Sequence, residues 1–275
     1  MMQYKTRKNL RNGIRFIILL FLAFVTLFPL VVVLSSSFKN ESELFDFPFS
    51  FIAKNPVMYN FTQLKENFPL YTWNSVKLTV IIVALQLFTS STGAYVMSKM
   101  HWKGRDTVFM MYLMSMMIPG QAIIIPQFII IRNLHMYDTH WALICVGAFS
   151  AFGTFLIRQF MMSIPDTYSE AARIDGASEW KIYGSIIMPM SRSVMITQMI
   201  FSFRYFWNDF FNPLIYLTSQ KLKTLPLGMS DFVREQYVYW GPQMAAALIS
   251  IIPVIIIFIF GQKYFIQGVS ASGIK

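Results

Sequence analysis

The chain has 275 residues, 55% of them hydrophobic and only 13% charged, and its mean hydropathy is +0.50. A soluble domain of this size exposes more charge, so the composition argues for a polytopic α-helical membrane protein with room for one membrane domain. The net charge of +10 does not signal nucleic acid, because the basic residues cluster beside apolar runs of spanning length.

Residues 1–15 are basic, with Lys5, Arg7, Lys8, Arg11 and Arg15, and an apolar run follows from Phe16 to Leu34. That run is longer than a usual signal-peptide core and lacks an Ala-x-Ala end, so it reads as an uncleaved first span. Residues 35–73 are mixed and polar and read as an external loop. The second span covers 74–97. Gln86, Ser90, Ser91 and Gly93 interrupt it, residues of the kind that pack helix against helix. Lys99, Lys103 and Arg105 then form a short basic loop. The third span, 107–131, holds Pro119-Gly120 and Pro126, which kink or unwind a helix and are tolerated only where the freed backbone is buried or faces water. Discontinuous helices often line a transporter's path, so Pro119 and Gly120 are a candidate gate.

A brief external loop carries His135, Asp138 and His140. Their spacing is poor for metal ligation, and a solvated loop is expected. The fourth span runs over 141–157 and ends at Arg158, with a small-residue packing face of Gly147, Ala148, Ala151 and Gly153. Cys145 lies within it, alone and unable to form an internal disulfide; it reads as a packing residue.

Next comes a polar island, 163–190, between two apolar runs. Thr167 and Glu170 have the spacing of an N-terminal capping box. Asp166 adds negative charge where a helix start is electropositive. Ala171 and Ala172 leave a low helix surface for another protein to approach, and Gly176 is a plausible helix stop. A second short helix is expected over 178–188, with Ile182 and Ile186 on one face and Pro189 ending it.

The fifth span, 194–217, is the most polar. Arg204, Asn208 and Asn212 recur at four-residue steps and so share one helix face, with Asp209 adjacent. Intramembrane polar groups are costly and default to function. The candidate substrate pathway is therefore Arg204, Tyr205, Trp207, Asn208, Asp209 and Asn212, with Tyr205 and Trp207 available to stack on a sugar ring. A second external loop covers 218–241, the sixth span 244–260, and a short tail follows.

Six spans with both ends inside place fourteen of the 23 lysines and arginines on the cytoplasmic side, in the shorter segments, as the positive-inside rule requires. Trp73, Trp141 and Trp240 then sit at outer ends and Trp102 at an inner one. The expected organisation is a cytoplasmic basic N-terminus (1–15), one transmembrane domain (16–262) with the island between spans four and five, and a cytoplasmic tail (263–275). No GxxxxGK[ST], HExxH or GxSxG occurs, so no catalytic role, cofactor or metal is expected in this chain. Asp209 is the single plausible intramembrane carboxylate, which weakens ion-coupled transport, and energy must come from elsewhere.

Glu170, Ala171, Ala172, Gly176, Ile186 and Pro189 stand at the spacing of the Glu-Ala-Ala loop of ABC-importer permeases, with Met188 where that family usually has Leu. The island resembles that loop. Trp207-Asn208-Asp209-Phe210, Leu225-Pro226-Leu227-Gly228, the 240–247 stretch and the 262–275 tail resemble the carbohydrate-uptake, maltose-type branch, so that the likeness covers most of 70–275. The resemblance implies an all-α integral membrane subunit with six transmembrane helices and a cytoplasmic coupling loop, in a bacterial cell membrane. It implies a second permease, two ATPase subunits that hold ATP and magnesium, and an extracytoplasmic solute-binding protein that delivers a sugar. Glu170, Ala171, Ala172, Asp175, Gly176 and Pro189 would form the ATPase-coupling loop, whose movement rotates the spans. The 229–240 loop would reach into the binding protein, and the tail would touch the ATPases. A permease for a non-sugar solute and a stand-alone secondary transporter are the alternatives.

Overall fold

The computed structural model describes residues 2–234 and 237–273, with side chains over 12–233 and 238–262. The chain divides into two compact units, Met1–Phe68 with Met229–Ile252 and Pro69–Gly228 with Pro253–Lys275. Eleven helices carry the argument: α1 (Met2–Ser37), α2 (Phe68–Lys99), α3 (Arg105–Ser115), α4 (Gly120–Asn133), α5 (His140–Gly147), α6 (Ala151–Met162), α7 (Thr167–Ile174), α8 (Glu179–Met190), α9 (Arg192–Trp207), α10 (Phe211–Tyr216) and α11 (Trp240–Gly273). Among the described residues the regular structure is helical apart from a two-residue antiparallel ladder that pairs Val233 with Val238 and Arg234 with Tyr237. Residues 235 and 236 of the expected second external loop lie outside the described residues.

In the first unit, α1 leaves its apolar residues exposed from Phe16 to Val31 and, among its described side chains, buries only Ser35, Ser36 and Ser37 at its end. The last carbonyls of a helix have no partner within it. Asn60 Nδ2 supplies one, donating to Ser37 O at 3.0 Å and to Lys39 O at 2.9 Å. Gly241 makes room for this amide, because a Cβ there would sit 2.3 Å from Asn60 Oδ1. The polar first loop is thus partly interior: Lys39 is fully buried, donates to Ser50 O at 2.5 Å and lies 3.7 Å over the Phe49 ring.

In the second unit the helices are broken more often than the apolar runs suggest. Among the described residues of the whole chain, four segments are long and apolar enough to cross a membrane, Asn12–Ser37, Phe68–Lys99, His140–Met162 and Trp240–Gln262, and two bent pairs, α3 with α4 and α8 with α9, bring the number to as many as six if each is one span. The expected third span is a sharp corner: α3 and α4 meet at 98°. Pro119 caps α4 with extended backbone, because the residue before a proline and proline's missing N–H both oppose a continuous helix. The expected fourth span is interrupted at 148–150, where Ser150 restarts the helix by accepting from Gly153 N at 2.9 Å. The small-residue face is real at two positions: a Cβ on Gly147 would meet Ile82 Cγ2 at 2.6 Å, and one on Gly153 would meet Gln198 Nε2 at 2.6 Å. Cys145 is exposed instead. Arg158 pairs with Asp106, whose side chain is 74% exposed, while its own is turned inward. It is buried, donates to Met97 O at 3.0 Å and Asp106 Oδ1 at 3.1 Å, and covers the Phe109 ring at 3.7 Å.

Asp138 and His140 do not form a simple solvated loop. Asp138 Oδ1 accepts from Thr218 N at 2.8 Å and Ser219 N at 2.9 Å, and His140 Nε2 meets Leu222 O at 2.9 Å. They tie the loop before α5 to the segment after α10. Among the described residues no group of His, Cys, Asp and Glu could hold a metal.

Candidate functional site

The polar island folds as two short helices with a tight stop between them. Gly176 has φ +77°; its N–H donates to Arg173 O at 3.0 Å and Ala177 N–H to Ala172 O at 2.9 Å. That pair of bonds is a Schellman stop, which requires a left-handed residue just past the helix. The expected capping box does not form. Asp166, not Thr167, is the N-cap, and its side chain makes no cap hydrogen bond because Lys99 takes it. Pro189 does not end α8 either. The helix continues to Met190, with wide i→i+5 turns over Tyr183–Ile187. Proline crowds the carbonyl four residues back; here that is Ser185, inside the wide turns, which relieve the clash.

The two alanines part company. Ala171 is exposed, whereas Ala172 is buried in a cluster with Ile157, Met161, Ile164, Ile182 and Ile187. The smooth outer surface is therefore not built from both. It is formed by exposed Glu170, Ala171, Asp175 and Gly176, with the apolar side chains of Tyr168, Ile174 and Trp180 standing out beside them. Ile174 is 86% exposed. Ile182 is buried and Ile186 half-buried, so the second helix presents the expected face to the interior.

The side of the island away from that surface is held by α2. Lys99 Nζ donates to Ile164 O at 2.5 Å and Asp166 Oδ1 at 2.6 Å. The Tyr95 hydroxyl donates to Glu179 Oε2 at 2.6 Å, and Arg173 Nε donates to Glu179 Oε1 at 2.7 Å. Ser91 Oγ meets the Tyr183 hydroxyl at 2.7 Å. The Lys99 ammonium holds the Asp166 carboxyl below the usual aspartate range, against the opposing effect of its partial burial.

Higher on α2 lies a cleft of about 500 Å³. Its polar lining is Gln86, Ser150, Gln198, Ser202, Arg204 and Asn212, with the Tyr205 ring beside them. Gln198 Nε2 donates to Ser202 Oγ at 3.0 Å and lies 3.4 Å from Gln86 Oε1, and Ser202 donates to Gln86 Oε1. Gln198 Oε1 is buried without a hydrogen-bond partner among the described residues. Of the six expected pathway residues, the structure brings three to this cleft, Arg204, Tyr205 and Asn212. The other three do not line this cleft, because α9 stops at Trp207 and the four-residue face does not run on. Asn208 Nδ2 closes α9 by donating to Arg204 O at 2.8 Å. Asp209 opens α10 by accepting from Asn212 N at 3.2 Å and Asn212 Nδ2 at 2.8 Å. Trp207 is 1% exposed and stacks on Phe203 at 5.6 Å, which leaves no ring face for a ligand. Pro119 and Gly120, the candidate gate, stand at the α3–α4 corner, where a Cβ on Gly120 would meet nothing.

The profile of the binding-protein-dependent transport system inner membrane components matches residues 86–271. The chain belongs to this family. The permease is 31% identical to the arabinooligosaccharides transport system permease protein AraQ of Halalkalibacterium halodurans, over 93% of each chain. It is 29% identical to the lactose transport system permease protein LacG of Rhizobium radiobacter, over 97% of each chain. Its fold matches that of a bacterial ABC transporter involved in the import of the acidic polysaccharide alginate, with a TM-score of 0.83 at 23% identity, covering 94% of this chain and 97% of that one. The chain is a membrane-embedded ABC permease of the carbohydrate-uptake branch.

Sequence reasoning assigned Gln86, Ser90 and Ser91 to helix packing but missed the other polar residues of α2 that organise the two sites, Thr89, Tyr95 and the buried Lys99. Lys99 was legible as a basic residue near an inner end, but nothing local marks it as buried. Thr89 carried no signal at all. Its hydroxyl donates to Ala148 O at 2.7 Å, a carbonyl freed by a helix break that the sequence did not show.

Proposed function

We propose that this permease is the membrane-spanning subunit of an ATP-driven importer that translocates an oligosaccharide handed over by an extracytoplasmic binding protein. The observation that carries the proposal is the island: a Glu-Ala-Ala helix stopped at Gly176, with Ile174 and Trp180 exposed on one side and α2 gripping the other. A short helix with an apolar outer surface and a rigid back is a handle for a partner subunit. The relatives named for arabino-oligosaccharide and lactose transport support the sugar, and the alginate importer whose structure is in complex with a pentasaccharide-bound periplasmic protein supports delivery by a binding protein.

In this reading the island, 163–190, lies in the cytoplasm between spans four and five of a single domain, 16–262, with both chain ends inside a bacterial cytoplasmic membrane. Helix α9 has 16 residues, about 24 Å of helix against the roughly 30 Å of a bilayer core, so α10 completes span five. Glu170, Ala171, Asp175 and Gly176 face one of two ATPase subunits. Ala172 shapes the loop from within, Pro189 is exposed near its end, and a second permease completes the pathway. ATP and magnesium belong to the ATPases, and this chain is non-catalytic. Arg204, Tyr205 and Asn212 face the solute, with Pro119 and Gly120 at the gate.

The test is a mild-detergent pull-down of the tagged chain from its native membranes, read by mass spectrometry and subunit stoichiometry. Recovery of a second six-span permease and two copies of a P-loop ATPase, with the ATPase lost on Ile174→Asp, is the expected result. A chain recovered alone and active in liposomes without ATP would replace this reading with secondary transport.

A further inference from the structure

The polar residues of α2 fall into two groups on adjacent turns, and each group holds a different element. Ser91, Tyr95 and Lys99 stand at four-residue steps and so share one helix face. All three are buried. Their partners are Tyr183, in the wide turns of α8; Glu179, at the start of α8; and Ile164 with Asp166, at the entry to α7. The grip therefore reaches both helices of the island. The second group is Gln86, Thr89 and Ser90. These side chains reach the carbonyls of Gly147 at 3.1 Å, Ala148 at 2.7 Å and Ser150 at 3.5 Å, where α5 stops and α6 begins. A helix break in a membrane protein survives only if its freed backbone groups find partners, and α2 provides them. Gly147, Phe149, Ser150 and Ala151 at this break also line the cleft.

We infer that α2 is the element that carries movement of the island to the cleft. The island and the C-terminal half of α2 move as one body, and Gln86, Thr89 and Ser90 deliver that movement to the broken segment between α5 and α6. No proline interrupts α2 between residues 86 and 99, and a packed interior passes displacement on because it does not deform continuously. Ser91, Tyr95 and Lys99 are accordingly positioning residues that act through the island. The inference rests on the importer reading, since it takes the island to be what the ATPase moves.

The experiment uses the whole importer in proteoliposomes. Cys145→Ser removes the exposed native thiol, and Phe149→Cys, at a position 67% exposed, reports on the cleft wall through its labelling rate with a maleimide, with and without MgATP. In this background MgATP is expected to change the labelling rate by about tenfold, within the usual range of coupling between sites. Adding Tyr95→Phe deletes one hydroxyl and keeps the ring packed on Tyr183, whose centroid is 5.4 Å away. That variant should blunt the response, and Ser91→Ala with Tyr95→Phe and Lys99→Met should abolish it, while subunit stoichiometry and ATP hydrolysis persist. An undiminished nucleotide response in the triple variant overturns the role of α2. Should the triple variant fail to reach the membrane, an undiminished response in Tyr95→Phe alone overturns it equally. Absence of any ATPase in the background complex overturns the importer reading instead, before any α2 variant is compared.

Discussion

Lys99 Nζ lies 2.6 Å from an Asp166 carboxylate oxygen, yet the lysine side chain is 2% exposed and the aspartate 52%. A lysine from the end of α2 has left water to grip the entry of the island. The same ammonium covers the carbonyl of Ile164 at 2.5 Å, so its removal strands a backbone acceptor as well as a charge.

That contact predicts an acid sensitivity. The folded Asp166 carboxyl titrates below its unfolded value, chiefly because Lys99 donates to it. Its stabilising contribution is therefore full above the unfolded value, about 3.9, and is lost as pH falls through the lower folded value. Asp166→Asn should lower the thermal midpoint of the purified permease at neutral pH. The difference from wild type should begin to narrow below about pH 4 and close as pH falls through the lower folded value. A gap that persists unchanged in acid would assign the effect to packing.

Two glycines should fail differently. A Cβ at Gly153 would sit 2.6 Å from Gln198 Nε2 and 2.9 Å from Ser90 Oγ, so Gly153→Ala overpacks a polar junction and should cost about 1–3 kcal/mol. A Cβ at Gly176 would meet nothing within 4 Å, but φ is +77°; Gly176→Ala should cost about 1 kcal/mol through backbone strain alone. Urea unfolding of the two variants in the same detergent separates the cases.

The island alanines and isoleucine give a second contrast. Ala172→Glu forces an unpaired carboxylate among Ile157, Met161 and Ile182, a burial that membranes and protein interiors do not tolerate. The chain should be depleted from the membrane. Ile174→Asp changes a side chain that is already in solvent, so membrane content should be normal and uptake lost. Immunoblots of membrane fractions beside uptake assays read both.

The cleft predicts a split between two neighbouring aromatics. Trp207→Ala removes a buried, stacked ring and should destabilise by about 3–5 kcal/mol. Tyr205 is 59% exposed, so Tyr205→Ala should stay within about 0.5 kcal/mol of wild type but raise the KM for uptake. Unchanged KM and unchanged solute preference in Tyr205→Ala would remove this cleft from the pathway.

Gln86→Leu tests the junction directly. It takes the donor from Gly147 O and the acceptor from Ser202, and each buried polar group left unpaired costs about 1–3 kcal/mol. Hydrogen–deuterium exchange should rise at 147–154 first, since those amides follow the break. Exchange that rises uniformly across the chain would indicate global loosening.

Composition, the apolar runs and the Glu-Ala-Ala spacing were enough to determine the class and the family. They could do so because spanning length and interruption by charge are properties of consecutive residues. Gly176 was legible for the same reason, since a left-handed helix stop is a local demand on one residue. The breaks were not. Nothing near Ala148 or Asn208 forbids a helix, and only partners far along the chain, Gln86 and Thr89 for one break, make the interruption affordable. Burial was hidden likewise: Ala171 and Ala172 are the same residue in sequence, and Lys99 looks like any basic residue at a membrane edge. Which alanine turns inward, which lysine leaves water and which of six polar residues reach the cleft depend on what packs against them, and that is settled only when the helices come together.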